Sequence, residues 1–294
     1  MNRKRLGVIV ALHLALLVFW GLTAADQAYA REKKIGILLV AFGSSLPEAQ
    51  ISFVNIDRKV REAFPGVPVR WAYTSSIIRK KFAKQGRHLD SPKEALTKMI
   101  EEGFTHVAVQ SLHTISGEEY NELLHTVQTF HDSEGFEDIL VGYPLLASQE
   151  DMEKMTKALL ANIPRERKKD EGVVLMGHGS HHPSNAFYAA LMFQIQRKDP
   201  NVFIGCVEGY PDIDVIKEML KEKKIKKVYL MPLMSVAGDH ARNDMAGESE
   251  DSWVSVLNKA GIESIPILRG TAEYDNVVDI WVDHLREALA HFES

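Results

Sequence analysis

Three short segments hold the residues whose types could do metal chemistry. Met176–His182 (MGHGSHH) sets His178 between two glycines directly after an apolar run. Glycine there lets the backbone turn sharply and lets a bulky ligand approach the imidazole. Glu208 follows the apolar run Val202–Val207 within Cys206–Pro211 (CVEGYP), where an unpaired carboxylate would be costly. His240 sits in Met234–Asp244 (MSVAGDHARND), again just past an apolar run, among Asp239, Arg242 and Asp244. Two histidines and one carboxylate form a metal site with open positions, suited to Co, Fe, Ni or Zn, and ligand type alone does not choose among them. The three are far apart in sequence and match no compact metal motif, so they form one site only if the fold brings three strand ends together.

Other chemistries fit these residues less well. Gly179-Ser180-His181 is not the G-x-S-x-G of a hydrolase nucleophile turn. No arginine flanks His178, as a histidine-type phosphatase would need. His181 and His182 read as surface residues at a helix entrance. Cys206, the single cysteine, lies inside an apolar strand and reads as packing; one cysteine permits no internal disulfide. In the first half, Glu118 and Glu119 open a helix shortly after His113. The helix dipole favours acids there, but alignment of the two halves sets Glu119 opposite His240, which argues for a functional role. Ser75–Lys81 (SSIIRKK) and Arg87-His88 form a basic stretch. It is either solvated surface or a receptor for the carboxylates of an acidic substrate, for which arginine is geometrically suited. Phe42, Ser44, Ser45, Arg79, Lys80 and His113 are the expected substrate contacts.

The elements that must position these groups follow from periodicity. Continuous apolar runs such as Lys34–Gly43, Thr105–Leu112, Gly172–Gly177 and Lys227–Leu233 alternate with helical patterns such as Pro47–Phe64, Gly117–His131, Pro183–Lys198, Gly247–Ala260 and Tyr274–Phe292. Buried strands of this kind predict parallel sheets covered on both faces. Ser91-Pro92 is a strong helix start. The halves also resemble each other: ILLVAFGSS (Ile37–Ser45) aligns with VVLMGHGSH (Val173–His181), and SLHTISGEE (Ser111–Glu119) with PLMSVAGDH (Pro232–His240). The predicted fold class is α/β, with two similar doubly wound parallel-sheet lobes facing a central cleft. The expected division is residues 1–30 as a signal peptide, 31–165 as the first lobe and 166–294 as the second, with the polar Pro164–Glu171 as linker.

Residues 1–30 are excluded from the fold. Arg3, Lys4 and Arg5 precede the apolar Val8–Leu22, and Ala28-Tyr29-Ala30 supplies the A-x-A cleavage pattern. This is the three-part design of a secretory signal, and the apolar run is short of the ~20 residues a spanning helix needs. The expected location is the periplasm. The chain of 294 residues carries a formal charge of −5. Removing the leader takes away three bases and one acid, so the mature chain is more acidic still, a poor match to nucleic acid.

The segments LLVAFGSS, TSSIIRKKF, VAVQSLHTISGEEY, MGHGSHH, VEGYP and LMPLMSVAGDHARNDMAG together resemble the class II chelatases, and among them the anaerobic cobaltochelatases of the CbiK type. The resemblance runs from about Lys34 to Phe292. It implies two α/β lobes around a cleft, a divalent ion (Co²⁺, with Fe²⁺ or Ni²⁺ as alternatives) as substrate metal, and an acidic tetrapyrrole such as sirohydrochlorin as the second substrate. It implies that His178, Glu208 and His240 are metal ligands, that His178 also accepts protons, and that Glu119 lies beside the macrocycle, so that His178, His240 and Glu119 are the catalytic set. The family is cytoplasmic as a rule, and the leader departs from that. The alternative is an exported metal or haem carrier on the same fold, consistent with the 12 histidines of the chain. In that reading His125, on the outer face of the Gly117–His131 helix, holds haem or an accessory metal at a contact of a homo-oligomer.

Overall fold

The alternating pattern folds into two sheets of four parallel strands. In the computed structural model, which describes residues 32–133 and 135–293, the first sheet comprises β1 (Ile35–Ala41), β2 (Val69–Tyr73), β3 (His106–Ser111) and β4 (Asp138–Gly142). The second comprises β5 (Gly172–Gly177), β6 (Val202–Cys206), β7 (Lys227–Pro232) and β8 (Glu263–Pro266). Their spatial orders are β2-β1-β3-β4 and β6-β5-β7-β8, so the internal likeness of the sequence is matched by topology. In each sheet the order reverses beside the first strand, between β1 and β3 and between β5 and β7. Open α/β sheets bind ligands at the carboxyl end of such a switch point. The segments carrying His178, Glu208 and His240 all leave strands at that end. The proposed leader, residues 1–30, lies outside the described residues.

Nine α-helices are described: α1 (Gln50–Ala63), α2 (Ser76–Ala83), α3 (Pro92–Glu101), α4 (Glu118–Asp132), α5 (Gln149–Ala161), α6 (Ala186–Gln196), α7 (Ile213–Glu222), α8 (Trp253–Lys259) and α9 (Asp275–Glu293). Ser91 caps α3 and, with Glu94, completes a capping box next to Pro92. Two differences from the periodicity reading matter. The basic stretch after β2 is a helix, α2, started by Ser75, whose hydroxyl accepts from the Ile78 amide. The helix expected over Gly247–Ala260 begins only at Trp253, capped by Ser252. The chain before it makes a π-helical turn over Ala241–Met245, a form found mostly at functional sites.

Strand alternation builds three apolar layers. On one face of β1, Leu38 and Val40 pack with Leu96 and Met99 of α3 and Leu123 and Val127 of α4. On one face of the second sheet, Val174 and Met176 pack with Ile216 and Leu220 of α7 and Leu257 of α8. The remaining faces share a single core containing Ile37 and Leu39 of β1, Val173 and Leu175 of β5, and Trp281 of α9. Lys34–Ser294 is accordingly one compact unit. The last helix explains how. Although it follows β8, α9 packs on β3, β4, α1 and α5 of the first sheet. It buries Val278, Trp281 and Leu285, among others. His284 anchors it, with Nδ1 3.0 Å from the Tyr143 carbonyl oxygen and Nε2 2.9 Å from the Asp151 carboxylate. Trp281 is fully buried, and truncation of such a residue costs about 3–5 kcal/mol. No helix among the described residues is long and apolar enough to cross a membrane.

Candidate functional site

His178 is held by the turn that ends β5. Gly179 adopts φ +83°, and a Cβ there would lie 2.7 Å from the Cys206 Cβ and 2.8 Å from the Gly209 nitrogen. Only glycine supplies that backbone region cheaply and allows that approach. Gly177 is equally crowded: a Cβ would lie 2.6 Å from the Tyr188 ring. Tyr188 backs the turn from α6. Burial pushes its phenol pKa well up. The strand pairing then continues beyond the strands, with Val207 N donating to Gly177 O at 3.1 Å and Glu208 N to His178 O at 2.8 Å. These two bonds set Glu208 beside His178. Asn185 clamps the two loops together: Ser180 N donates to its Oδ1 at 3.0 Å, and its Nδ2 donates to Tyr210 O at 2.7 Å.

His240 arrives from β7 and opens the π-helical turn. Its ring stands edge-on to His178, with centroids 4.8 Å apart at 87°. The His178 Nδ1 lies 3.9 Å from Glu208 Oε2. One ligand atom from each of His178, Glu208 and His240 falls within 4.8 Å of the others. Around a shared ion with bonds of about 2.1 Å, such atoms sit roughly 3–3.5 Å apart. Side-chain rotations of about an ångström close the set. The outer contacts fix the ring tautomers. His178 Nδ1 lies 3.0 Å from Gly179 O and donates to it, and His240 Nδ1 lies 2.5 Å from the Asp244 carboxylate. Both contacts occupy Nδ1, so metal binding through Nε2 would leave them in place, the usual division of labour in histidine sites. Cys206, two residues before Glu208, is buried, and that burial pushes its thiol up to about 12, in keeping with a packing residue.

The site opens into a cleft of about 360 Å³ lined from both sheets, within the range of small-molecule pockets. His178, Ser180 and His240 form one wall, with Val236 and Met234. Phe42, Ser44, Ser45, His113 and Glu119 come from the strand ends of the first sheet. Phe42 is 49% exposed, an apolar ring facing open space at a strand end. Ser44 spends its hydroxyl on the Leu46 amide. His113 hydrogen-bonds through Nδ1 to Ser111 Oγ at 2.8 Å. Burial pushes its pKa down to about 4 against a smaller upward pull from Glu119, so the ring is neutral near pH 7.

The expected basic contacts are distributed differently. Arg79 donates to the Tyr73 and Thr74 carbonyl oxygens at 2.6 and 2.7 Å, and neither it nor Lys80 lines the cleft. The helical period of α2 brings Lys81 and Ile78 to the wall instead. Arg87 lies over the Phe82 ring and His88 pairs with Asp90. His88, Asp90 and Glu94 also have metal-like spacing. Their carboxylates are already used, Asp90 by Lys98 and Glu94 by the α3 cap. His125 is exposed on α4 and is not part of the cleft. His182 caps the short turn before α6 and meets Asn121. Sequence reasoning missed Asn185, which carries no local signal; Lys81 stood only as the end of the basic stretch and Asp244 only as a neighbour of His240, neither with a role of its own.

Comparison with known proteins gives the family. The family model described as cobalt chelatase (CbiK) matches residues 35–290. The chain belongs to the CbiK cobalt chelatase family. Within the family it is similar to the sirohydrochlorin cobaltochelatase CbiKC of Nitratidesulfovibrio vulgaris, at 49% identity over 91% of this chain and 95% of that one. It is also similar to the sirohydrochlorin cobaltochelatase of Salmonella typhimurium, at 37% identity over 87% of this chain and 97% of that one. Among solved structures, SirB of Bacillus subtilis with Fe³⁺ shares the fold, with a TM-score of 0.59 at 17% identity, covering 88% of this chain and 97% of that one. The chain is therefore an α/β chelatase whose candidate ligands meet at the carboxyl ends of β5, β6 and β7.

Proposed function

We propose that this chain is a sirohydrochlorin cobaltochelatase, inserting Co²⁺ into the macrocycle with release of two protons. The observation that carries the reading is the meeting of His178, Glu208 and His240 within 4.8 Å at a cleft that His178 and His240 line together with Glu119. Insertion must strip water from the ion and remove two pyrrole N–H protons. The three ligands replace water on one face of the ion. Neutral imidazole serves both needs, as ligand and as base. The macrocycle enters the cleft with Phe42 against its apolar surface and the ion held at His178 and His240. As the ion passes to the ring nitrogens, His178 Nε2 is released and accepts one proton, and Glu119 accepts the other. Charge balances: the ion brings two positive charges and two protons leave. The tripartite leader supports a periplasmic location for this activity. Fe²⁺ and Ni²⁺ are the competing metals, because the ligand set suits all three.

The test is a continuous absorbance assay of purified protein with sirohydrochlorin and each metal, beside His178→Ala and His240→Ala. Multiple turnovers with Co²⁺, abolished in both variants while circular dichroism is unchanged, are expected. Wild-type turnover in either variant would remove the ligand assignment. Stoichiometric binding without turnover would make the protein a carrier.

A further inference from the structure

His113 and Glu119 face the same cleft, and each lacks a partner the other could supply. The Ser111 side chain is fully buried, and the only acceptor its hydroxyl meets is His113 Nδ1, at 2.8 Å. A buried hydroxyl donates where it can, so Ser111 donates to Nδ1 and the ring proton of neutral His113 sits on Nε2. That Nε2 is buried without a hydrogen-bond partner. An orphaned donor of this kind is expensive and uncommon in a native fold. Among the described residues, Glu119 is the charged group whose field acts on the His113 ring. Its carboxylate makes no hydrogen bond or ion pair with any described residue, and both side chains line the cleft. Glu119 stands in the first turn of α4, so a rotation about its own side-chain bonds moves the carboxylate without moving backbone.

Resting on the chelatase reading, we infer that His113 is a positioning residue: its Nε2–H donates to the Glu119 carboxylate when the macrocycle fills the cleft, and Ser111 holds the ring in the tautomer that can donate. Glu119 is thereby held as the acceptor for a pyrrole proton. His113 does not change protonation; the proton goes to the carboxylate, and the bond from Nε2–H becomes a bond to a neutral acid.

The experiment compares His113→Phe, His113→Gln and Glu119→Ala, singly and with His113→Phe combined with Glu119→Ala. Sirohydrochlorin and Co²⁺ are the probes. A hydrogen bond to a charged group sets the scale: His113→Phe should lower kcat roughly ten- to hundredfold with KM and Co²⁺ affinity unchanged. His113→Gln, which keeps an N–H, should recover most of that loss, and the double variant should be no slower than Glu119→Ala alone. In parallel, ¹⁵N-histidine NMR should show one ring proton on Nε2 that moves downfield when metal-free sirohydrochlorin binds wild type and stays in place in Glu119→Ala. The NMR result is read on binding alone, so it decides the inference even in a protein that binds without turnover. Additive losses in the double variant would overturn it. So would a KM effect without a kcat effect, which would make Nε2–H a direct contact to the substrate, or an unmoved Nε2 proton.

Discussion

The Asp244 carboxylate gives a quantitative test of how the second ligand histidine is prepared. It lies 2.5 Å from His240 Nδ1, four residues further along the π-helical turn. Removing an outer partner of a ligating histidine costs about 10–100-fold in metal affinity. The exposure of the pair selects within that range: the side chains are 33% and 45% accessible, so water can replace the lost acceptor. Asp244→Ala should therefore weaken Co²⁺ binding by about tenfold, roughly 1.4 kcal/mol. Asp244→Asn, whose amide oxygen still accepts from Nδ1–H, should lose less. Stability should change by no more than about 0.5 kcal/mol, as for a surface substitution. Isothermal titration with Co²⁺ at fixed pH measures the affinity without macrocycle. Insertion rates at subsaturating Co²⁺ should fall in parallel, with kcat at saturating metal nearly unchanged. Wild-type affinity in Asp244→Ala would refute the argument, because it would mean that Nδ1 needs no acceptor for Nε2 to bind metal.

Other substitutions probe the frame and the rim. Gly179→Ala pushes a methyl against Cys206 and the Gly209 backbone at a φ that costs about 1–2 kcal/mol for other residues; Co²⁺ affinity should drop about tenfold or more with the circular dichroism spectrum retained, and an unchanged affinity would free Glu208 from this turn. Asp151→Ala removes both the α5 capping box and the His284 anchor of α9, and breaking a buried pair should cost about 3 kcal/mol in urea unfolding at pH 7. Burial raises the Asp151 pKa, but hydrogen bonds from His284 and Ser148 outweigh it and the net shift is downward. Its contribution is thus complete above the unfolded carboxylate value of about 3.9 and is lost as pH falls through the lower folded value, so the gap between wild type and variant should narrow in acid; a gap that widens would contradict the sign. Among the described residues, Lys81 is the one lysine or arginine lining the cleft, and it is exposed. Lys81→Ala should raise the sirohydrochlorin KM by about fivefold, the scale of one exposed ion pair, and the difference should shrink at high salt, with Lys84→Ala as the neutral control.

Much of this molecule is legible along the chain because buried parallel strands and the turns that leave them have local signatures. Unbroken apolar runs marked the strands, Ser91-Pro92 marked a helix start, and glycines around His178 marked a turn able to present a ring. The likeness between the halves by itself aligns Glu119 with His240. Elements whose boundaries depend on capping rather than periodicity were less clear: α2 hid inside a run of basic residues, and Gly247–Ser252 looked helical although the helix begins only at Trp253, behind its Ser252 cap. Which basic side chain reaches the cleft depended on the angular phase of α2, so Lys81 replaced Arg79 and Lys80. Three decisions belonged to tertiary structure alone. The return of α9 to the first sheet follows from which apolar face remained uncovered. The clamp of Asn185 across two loops joins residues with no pattern in common. The orphaned Nε2 of His113 is a property of what surrounds the atom. Residue types determine which groups are able to bind a metal or move a proton; only packing determines which of them lack a partner until the substrate arrives.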